Sequence, residues 1–471
     1  MNLLLSLKDR FYNTNFLRAF MTKKVRLWSS QQHIEDAHFR HEAQRLKKGE
    51  RRCVEYFHQT DDPYSQLVAQ ILIPLLSHYD VDFRPHLVGS QDKKMIATNR
   101  SEDYRKFCRD DAISIAPYYG LNFPTVSEQP NSDLKALADQ ILAYAINEGT
   151  FFELAEPVGK ALWENDRNAL ESFNRATPEI TEQKIAEAES YRLKLGYVYG
   201  STFYYSGEWF LGVDRMNYLE ERLISQGARN PNKHGVVVPR PKEAQWQTNQ
   251  VPHMDNSKIT LEFFPSIRSP YTAVAVPRVL DLVKQTGVNF VVRPVLPIIM
   301  RNGEYDHALM IQATYVYSDA AREARRLGMP YGDVIDCTGD PIRNCYSLFP
   351  WAREQGKEMD LLAAFLDCTF ARRIDSATDA GMKTIVEHAG LDWTAASKIM
   401  GNTDWEAEFD KNLQDMYDMG LWGVPSFRVS GGKSPALGVW GQDRILLLEA
   451  DIEKRVLELS KQKEAVVQPI T

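Results

Sequence analysis

The stretch LEFFPSIRSPYT at residues 261–272 decides the fold, because the chain carries a second version of it, VEYFHQTDDPYS, at residues 54–65. The two versions align without a gap, and each has an apolar run followed by a polar residue, proline and tyrosine. A serine or aspartate before proline is typical of a helix start, and a short apolar run is typical of a buried strand. The sequence therefore predicts one strand and helix twice, which indicates an internal duplication.

Each copy continues through the same elements in the same order. An amphipathic run leads to a second apolar strand, and a strand, helix and parallel strand form a right-handed βαβ unit. A long stretch of helical periodicity follows, and then a glycine-rich stretch that ends in Phe, a hairpin-like Ser-Gly and a Gly-x-Asp-Arg motif. The second strands lie at 81–87 and 288–296, the helical stretches at 134–195 and 308–418, the glycine-rich stretches at 196–203 and 420–427, and the closing motifs at 212–215 and 441–444.

This order of elements predicts an α/β protein with two tandem thioredoxin-like domains, each carrying a helical insertion. Two polar helices precede the first copy, and we expect them to pack outside it. A segment rich in Asn, Pro, Gln and Lys lacks sustained periodicity and is expected to be the linker. The expected parts are an N-terminal helical extension (1–50), the first domain (51–227), the linker (228–257), the second domain (258–460) and a frayed tail (461–471).

The composition narrows the possible partners and location. With 471 residues, 44% apolar and 25% charged, the chain can fill two large cores. A formal charge of −7 provides no basic field for nucleic acid. We find neither an apolar stretch long enough for a membrane span nor a signal peptide, so we expect a cytoplasmic protein without nucleic acid or membrane partners. The five cysteines are an odd set, expected to be reduced thiols.

The start of the second copy's helix has a structural and a chemical interpretation. Ser269 and Pro270 are favoured at the cap and first turn of a helix, which explains them without any function. The same helix end presents unpaired N–H groups and a positive dipole, and a serine hydroxyl there can donate a hydrogen bond to a thiolate. About 2 kcal/mol of preferential stabilisation would lower a thiol pKa of about 8.5 by roughly 1.5 units. Such a site can activate a bound thiol.

Three motifs in the second copy carry a family resemblance. Ser269-Pro-Tyr-Thr272, Gly423-Val-Pro-Ser-Phe427 and Trp440-Gly-Gln-Asp-Arg444 occur in this order around a helical insertion. Together they resemble the DsbA-like branch that contains 2-hydroxychromene-2-carboxylate isomerases and kappa-class glutathione transferases. The resemblance covers essentially all of residues 258–457.

The resemblance implies glutathione as cofactor and a role for each motif. Ser269 would contact the glutathione sulfur, and the backbone of Val424, before a cis Pro425, would pair with the glutathione peptide. Gln442 and Asp443 would lie near the γ-glutamyl end, although an acidic residue in a first helical turn is also a common cap. The implied glutathione-binding residues are Pro270, Tyr271, Arg301, Asn302, Val424, Pro425, Gln442 and Asp443, of which Arg301 and Asn302 belong to the loop after the second strand; no metal site is expected.

The first copy departs from this pattern at the position that matters most. Asp62 stands at the serine position and Ser201 at the proline position. A carboxylate about 4 Å from a thiolate opposes it by about 4 kcal/mol at an effective dielectric of 20, more than a helix dipole supplies. We therefore expect a degenerate first domain that acts as a partner of the second, in a monomer with an internal pseudo-dimer or in a homodimer.

Three functions remain open from the sequence. The first is a glutathione-dependent isomerase or transferase acting on a hydrophobic, aromatic small-molecule electrophile, with Ser269 stabilising the thiolate. The second is a non-catalytic thioredoxin-fold module that binds a peptide or protein. The third is a DsbA-superfamily oxidoreductase, which the absence of a cysteine at Ser269 and Thr272 disfavours, because the thiolate is the reacting species in disulfide exchange. A histidine face (His33, His38, His41) is interpreted as a solvated surface.

Overall fold

The computed structural model describes residues 14–90, 101–124, 128–197, 199–242, 256–301 and 307–467. The chain divides into two compact units. The first unit consists of Gln31–Lys242 with the start of the helix that begins at His307. The second unit consists, in its described part, of residues 14–30, 256–301 and 313–467.

The first unit is a four-stranded sheet with helices around it. Strand β1 runs parallel to β2 and antiparallel to β3, which pairs with β4, so the strand order is β2-β1-β3-β4. Helix α3 connects the parallel pair, and the described residues between β2 and β3 form five α-helices. The elements are α2 (Gln31–Lys48), β1 (Cys53–Gln59), α3 (Pro63–His78), β2 (Asp82–Val88), α4 (Ser101–Ile115), α5 (Ser132–Glu148), α6 (Phe151–Trp163), α7 (Arg167–Glu171), α8 (Pro178–Lys194), β3 (Thr202–Tyr205), β4 (Glu208–Leu211) and α9 (Met216–Ser225).

The second unit repeats this topology with the strand order β6-β5-β7-β8. Its central strand is again parallel to one neighbour and antiparallel to the other. The elements are α1 (Asn15–Ser29), β5 (Thr260–Phe264), α10 (Pro270–Thr286), β6 (Asn289–Val292), α11 (His307–Arg326), α12 (Asp340–Tyr346), α13 (Phe349–Glu354), α14 (Glu358–Phe370), α15 (Asp379–His388), α16 (Trp393–Ile399), α17 (Glu406–Asp418), β7 (Ser426–Ser430), β8 (Leu437–Trp440) and α18 (Ile445–Val467). Two thioredoxin-like domains with helical insertions are thus confirmed.

The central strand of each sheet carries one buried glutamate at the same position. Glu262 in β5 accepts a hydrogen bond from Arg293 Nε at 2.5 Å and a second one from Arg428. Glu55 in β1 accepts one from His86 Nε2 at 2.7 Å. Glu262 is 4% exposed and Glu55 is 8% exposed, so each carboxylate needs its basic partner. The two units therefore share a buried glutamate with a basic partner as well as a strand order.

Three boundaries differ from the expected ones. Helix α1 belongs to the second unit and not to the first, since Arg26 pairs with Asp333 at 3.1 Å. Residues 228–242, expected as linker, extend the first unit, because the Val238 N–H donates to Glu220 at 2.8 Å. The expected tail is helical as far as Val467. Sequence periodicity could not reveal the first two differences, because they depend on contacts between distant segments.

Within the described residues, every helix is too short or too polar to cross a bilayer.

Candidate active site in the second unit

The site begins at the N-terminus of helix α10. Ser269 is the N-cap, and its Oγ accepts a hydrogen bond from the Thr272 N–H at 3.2 Å. Pro270 occupies the first turn and is buried, as a helix start favours. Ser269 keeps 9% of its surface exposed. The structural interpretation of this serine as a cap is therefore correct, and it leaves the hydroxyl proton available for a second partner.

That proton points to the loop before β7. Ser269 Oγ donates to the Val424 carbonyl at 3.3 Å, a long bond. The peptide bond between Val424 and Pro425 is cis, as the family resemblance implied. In the described part of the chain the Val424 N–H has no hydrogen-bond partner, and the residue is half-buried. The fold thus brings together a helix mouth, a hydroxyl and a backbone group that can pair with a peptide.

Arg301 holds the loop before β7 through hydrogen bonds to backbone carbonyls. Its Nε donates to the Leu296 carbonyl and its Nη1 to the Trp422 carbonyl, each at 2.8 Å. The residue is 7% exposed. Arg301 therefore ties the segment after β6 to the segment before Val424, which makes it a positioning residue in this structure. Asn302, its companion in the sequence prediction, lies outside the described residues.

Gln442 and Asp443 form the next layer of the site. Gln442 is buried, and Arg278 Nη1 donates to its side-chain oxygen at 2.8 Å. The Gln442 amide donates to Asp443 Oδ1 at 2.5 Å and to Glu323 at 3.4 Å. The amide is thus committed within the protein and orients the half-buried Asp443 carboxylate. Of this pair, Asp443 is the one that can face a ligand cation.

Tyr271 connects the helix mouth to the inserted helices. Its hydroxyl donates to Asp319 Oδ2 at 2.8 Å, and Arg322 pairs with the same carboxylate. Its ring packs against a small core formed with Val274 and Ala320. The position predicted for glutathione binding is therefore occupied by a side chain that fixes helix α11 against α10.

Sequence reasoning missed Arg268, the residue directly before Ser269. Its Nε donates to Thr338 Oγ1 at 2.6 Å and to Asp336 at 3.3 Å. The charges of Tyr317 and Asp336 raise the pKa of the guanidinium although its burial opposes this. The guanidinium of the residue before the serine is thus held in a largely buried ion pair with Asp336. An arginine inside an otherwise apolar loop between strand and helix was the available signal.

The cysteines do not supply a thiolate. The structure contains no disulfide among its described cysteines, and Cys337 and Cys345 are buried. Burial raises the pKa of Cys337 to about 12 and holds that of Cys345 well above its ordinary value. Both side chains are therefore thiols at neutral pH, and unreactive ones.

The predicted histidine face makes internal contacts. His38 lies 3.0 Å from Glu208, and Glu42 pairs with Arg45. Among the described residues, no group of three or more His, Cys, Asp or Glu side chains is arranged to hold a metal ion.

The equivalent place in the first unit has a different chemistry. Asp62 caps helix α3 and accepts hydrogen bonds from the Ser65 N–H at 3.0 Å and the Ser65 hydroxyl at 2.9 Å. Burial raises the pKa of Asp62 to about 7. Ser201 replaces the cis proline and has a φ of 52°. A carboxyl group stands where the second unit has a hydroxyl.

A family comparison assigns the second unit. The model of the DSBA-like thioredoxin domain matches residues 260–453, which include Ser269, Pro425 and Asp443. This part of the chain is a DSBA-like thioredoxin domain. No curated protein matches the chain by sequence.

Solved structures with low sequence identity resemble parts of the chain. A 2-hydroxychromene-2-carboxylate isomerase is 16% identical and aligns over 44% of this chain and 100% of its own, with a TM-score of 0.35. The cytosolic disulfide reductase DsbM from Pseudomonas aeruginosa is 16% identical over 44% of this chain and 99% of its own, with a TM-score of 0.32. ScsC from Proteus mirabilis is 12% identical over 63% of this chain and 96% of its own, with a TM-score of 0.27.

Proposed function

We propose that the second unit binds glutathione and uses its thiolate in an isomerisation or transfer on a hydrophobic, aromatic electrophile. One observation carries the proposal: the Ser269 hydroxyl, the first turn of α10 and the Val424 backbone converge at one place. Among the described residues, the acceptor of the hydroxyl proton is a neutral carbonyl at 3.3 Å. A thiolate is a stronger acceptor and would take this proton.

The magnitudes are sufficient for thiol activation. A helix N-terminus contributes about 0.3 to 2 kcal/mol, and a hydroxyl bond to a charged group about 1.5 to 3 kcal/mol. Even the lower end of their sum, about 1.8 kcal/mol, lowers a thiol pKa from about 8.5 to roughly 7, so that about half of the bound thiol is ionised at neutral pH.

Two further groups would bind the tripeptide away from its sulfur. The Val424 N–H, unpaired among the described residues, would pair with the peptide backbone of glutathione. The Asp443 carboxylate would pair with the γ-glutamyl ammonium group, oriented by Gln442. In the reaction the sulfur would add to the electrophile, a bond of the adduct would rotate or a leaving group depart, and an isomerase would then release the thiolate.

Calorimetric titration of glutathione into the full chain tests the proposal. We expect Ser269→Ala to weaken binding about 10- to 100-fold at pH 8, because one hydrogen bond to a charged sulfur is lost. Ser266→Ala is the matched control, since Ser266 lies in the same loop and caps no helix, and it should bind like the wild type. Absence of glutathione binding by the wild type would remove the proposal.

A binding module without catalysis is the second candidate. The unpaired Val424 N–H can pair with an extended peptide of a protein partner as well as with glutathione. Stoichiometric capture of one protein partner, together with no thiol-dependent turnover, would favour this candidate.

A further inference from the structure

The last turn of helix α8 in the first unit carries an unusually buried arginine, Arg192. Arg192 is 0% exposed, and in the part of the chain that the structure describes its Nε, Nη1 and Nη2 atoms all lack a hydrogen-bond partner. Buried guanidinium groups are normally paired, because an unpaired buried charge loses its hydration without compensation. Arg455 of the second unit, equally buried, follows that norm: it bonds to Asp451 at 2.6 Å and to the Ser434 carbonyl at 3.0 Å.

The fold does not require a cation at this position. Met416 of helix α17 is the residue equivalent to Arg192. The Arg192 carbonyl and the Met416 carbonyl each accept a hydrogen bond at 3.2 Å from the N–H of the residue five positions later. Both helices are then closed by a glycine of positive φ, Gly196 and Gly420. Met416 is fully buried. An apolar side chain therefore fills the same place in the second unit, and packing alone does not explain Arg192.

Glu189, whose charge acts on Arg192, does not form a hydrogen bond with it. Glu189 lies one turn earlier on α8, and its Oε1 accepts from the Gly89 N–H at 3.2 Å, at the end of β2. Burial lowers the pKa of Arg192 to about 10, which the charges of Glu189 and Tyr197 only partly offset. The guanidinium remains charged at neutral pH and lacks a direct counter-ion among the described residues.

We propose that Arg192 anchors a ligand site in the first unit that takes a small oxyanion, either a carboxylate or a phosphate group. A guanidinium presents a planar fork of N–H donors that matches two oxygens of such a group. An anion would supply the acceptors and the charge that Arg192 lacks. This site is independent of Ser269, so the first unit is a binding domain in its own right and not only a degenerate copy.

Thermal unfolding of the full chain tests the site. The probes are sodium acetate and sodium phosphate, each compared with sodium chloride at the same ionic strength. We expect one of them, at a concentration well above its Kd, to raise the Tm of the wild type by about 2–4 °C. A rise with acetate alone identifies a carboxylate ligand, and a rise with phosphate alone identifies a phosphate ligand.

The variant Arg192→Met copies the second unit and should fold. In chloride its Tm should exceed that of the wild type, because the unpaired charge is gone, and acetate and phosphate should leave it unchanged. Arg192→Lys keeps the charge without the fork and should show a smaller anion-dependent rise. Equal responses of the wild type and Arg192→Met would overturn the proposal. A second result would also overturn it: in chloride, Arg192→Met and Glu189→Gln both have a lower Tm than the wild type, by similar amounts. Glu189 would then be the internal partner of Arg192.

Discussion

The two units share a strand order and differ in the groups at the helix mouth. The second unit presents the Ser269 hydroxyl and a cis Pro425, whereas the first presents the Asp62 carboxyl and Ser201. In both, the backbone around the second of these positions is held in the same way: Gly441 N–H donates to Pro425 and Gly212 N–H to Ser201. The duplicated framework therefore tolerates exchange of the reactive groups, and the chemistry depends on individual side chains.

The largest expected effect comes from moving the first unit's carboxyl into the second. We predict that Ser269→Asp weakens glutathione binding at pH 8 about a thousandfold, because a carboxylate about 4 Å from a thiolate costs about 4 kcal/mol at an effective dielectric of 20. Calorimetric titration measures this. Ser269→Asn is the matched control, because it also caps a helix and is neutral, and it should bind more tightly than Ser269→Asp. Equal affinities of the two variants would contradict the electrostatic argument.

The second largest expected effect is a loss of stability when the buried glutamates, Glu262 and Glu55, are replaced. Glu262→Gln should destabilise the second unit by about 2–3 kcal/mol, near the lower end for a broken buried pair, because Arg293 and Arg428 are a quarter exposed and partly regain water. Chemical denaturation measures the change. Glu55→Gln in the first unit is the matched comparison and should cost less, because the arginine that pairs with Glu55, Arg84, lies 3.7 Å away and is 62% exposed.

The same glutamate predicts an acid effect with a definite sign. Burial opposes ionisation of Glu262, but the hydrogen bonds and charges of Arg428 and Arg293 outweigh it and lower its pKa. A lowered carboxyl pKa stabilises the fold above about pH 4.3, where the unfolded group is ionised, and this stabilisation is lost as the pH falls through the folded pKa. The difference between the wild type and Glu262→Gln should therefore shrink as the pH falls below about 4.

A smaller effect concerns packing around the loop before the last two strands. A Cβ added at Gly423 would lie 2.1 Å from the Trp440 indole. In the first unit the strand register puts Tyr199 at the position of Gly423 and Leu211 at the position of Trp440. A large residue therefore replaces the glycine, and a smaller one replaces the tryptophan. We predict that Gly423→Ala costs about 1–3 kcal/mol, as overpacking usually does. Thermal unfolding should show that Trp440→Leu added to Gly423→Ala restores part of the loss.

Gly438→Ala provides the control for this pair. Its Cβ would meet Leu421 at 3.4 Å, an ordinary contact, so its effect should be well below that of Gly423→Ala. A double variant no more stable than Gly423→Ala would show that the indole is not what excludes a side chain there.

The sequence predicted the fold well because its signals were local and repeated. The strands, the capped helices and the order of motifs follow from polar and apolar patterns, and the structure confirms them. The roles of Arg301 and Gln442 could not be predicted, because each depends on acceptors more than a hundred residues away, such as Trp422 and Glu323. Arg192 was likewise invisible, since an arginine near a helix C-terminus is usually an exposed, favourable charge.

The smallest expected effect concerns the cap of the first unit. Burial raises the pKa of Asp62 from its ordinary 3.8 to about 7, against the hydrogen bonds from Ser65. Between about pH 4 and 7 the folded carboxyl then keeps a proton that the unfolded one has lost, so stability falls as the pH rises through this range and levels off above it. Asp62→Asn cannot titrate and should lack this slope, becoming more stable relative to the wild type from pH 4 to pH 8. The residue is half-buried, so water reduces the effect.

Chemical denaturation at several pH values measures this effect of Asp62, with Asp62→Ser as the variant that restores the second unit's cap. Because both variants remove the same proton, a slope that persists in either would assign the pH dependence to another group and would leave Asp62 as an ordinary ionised cap.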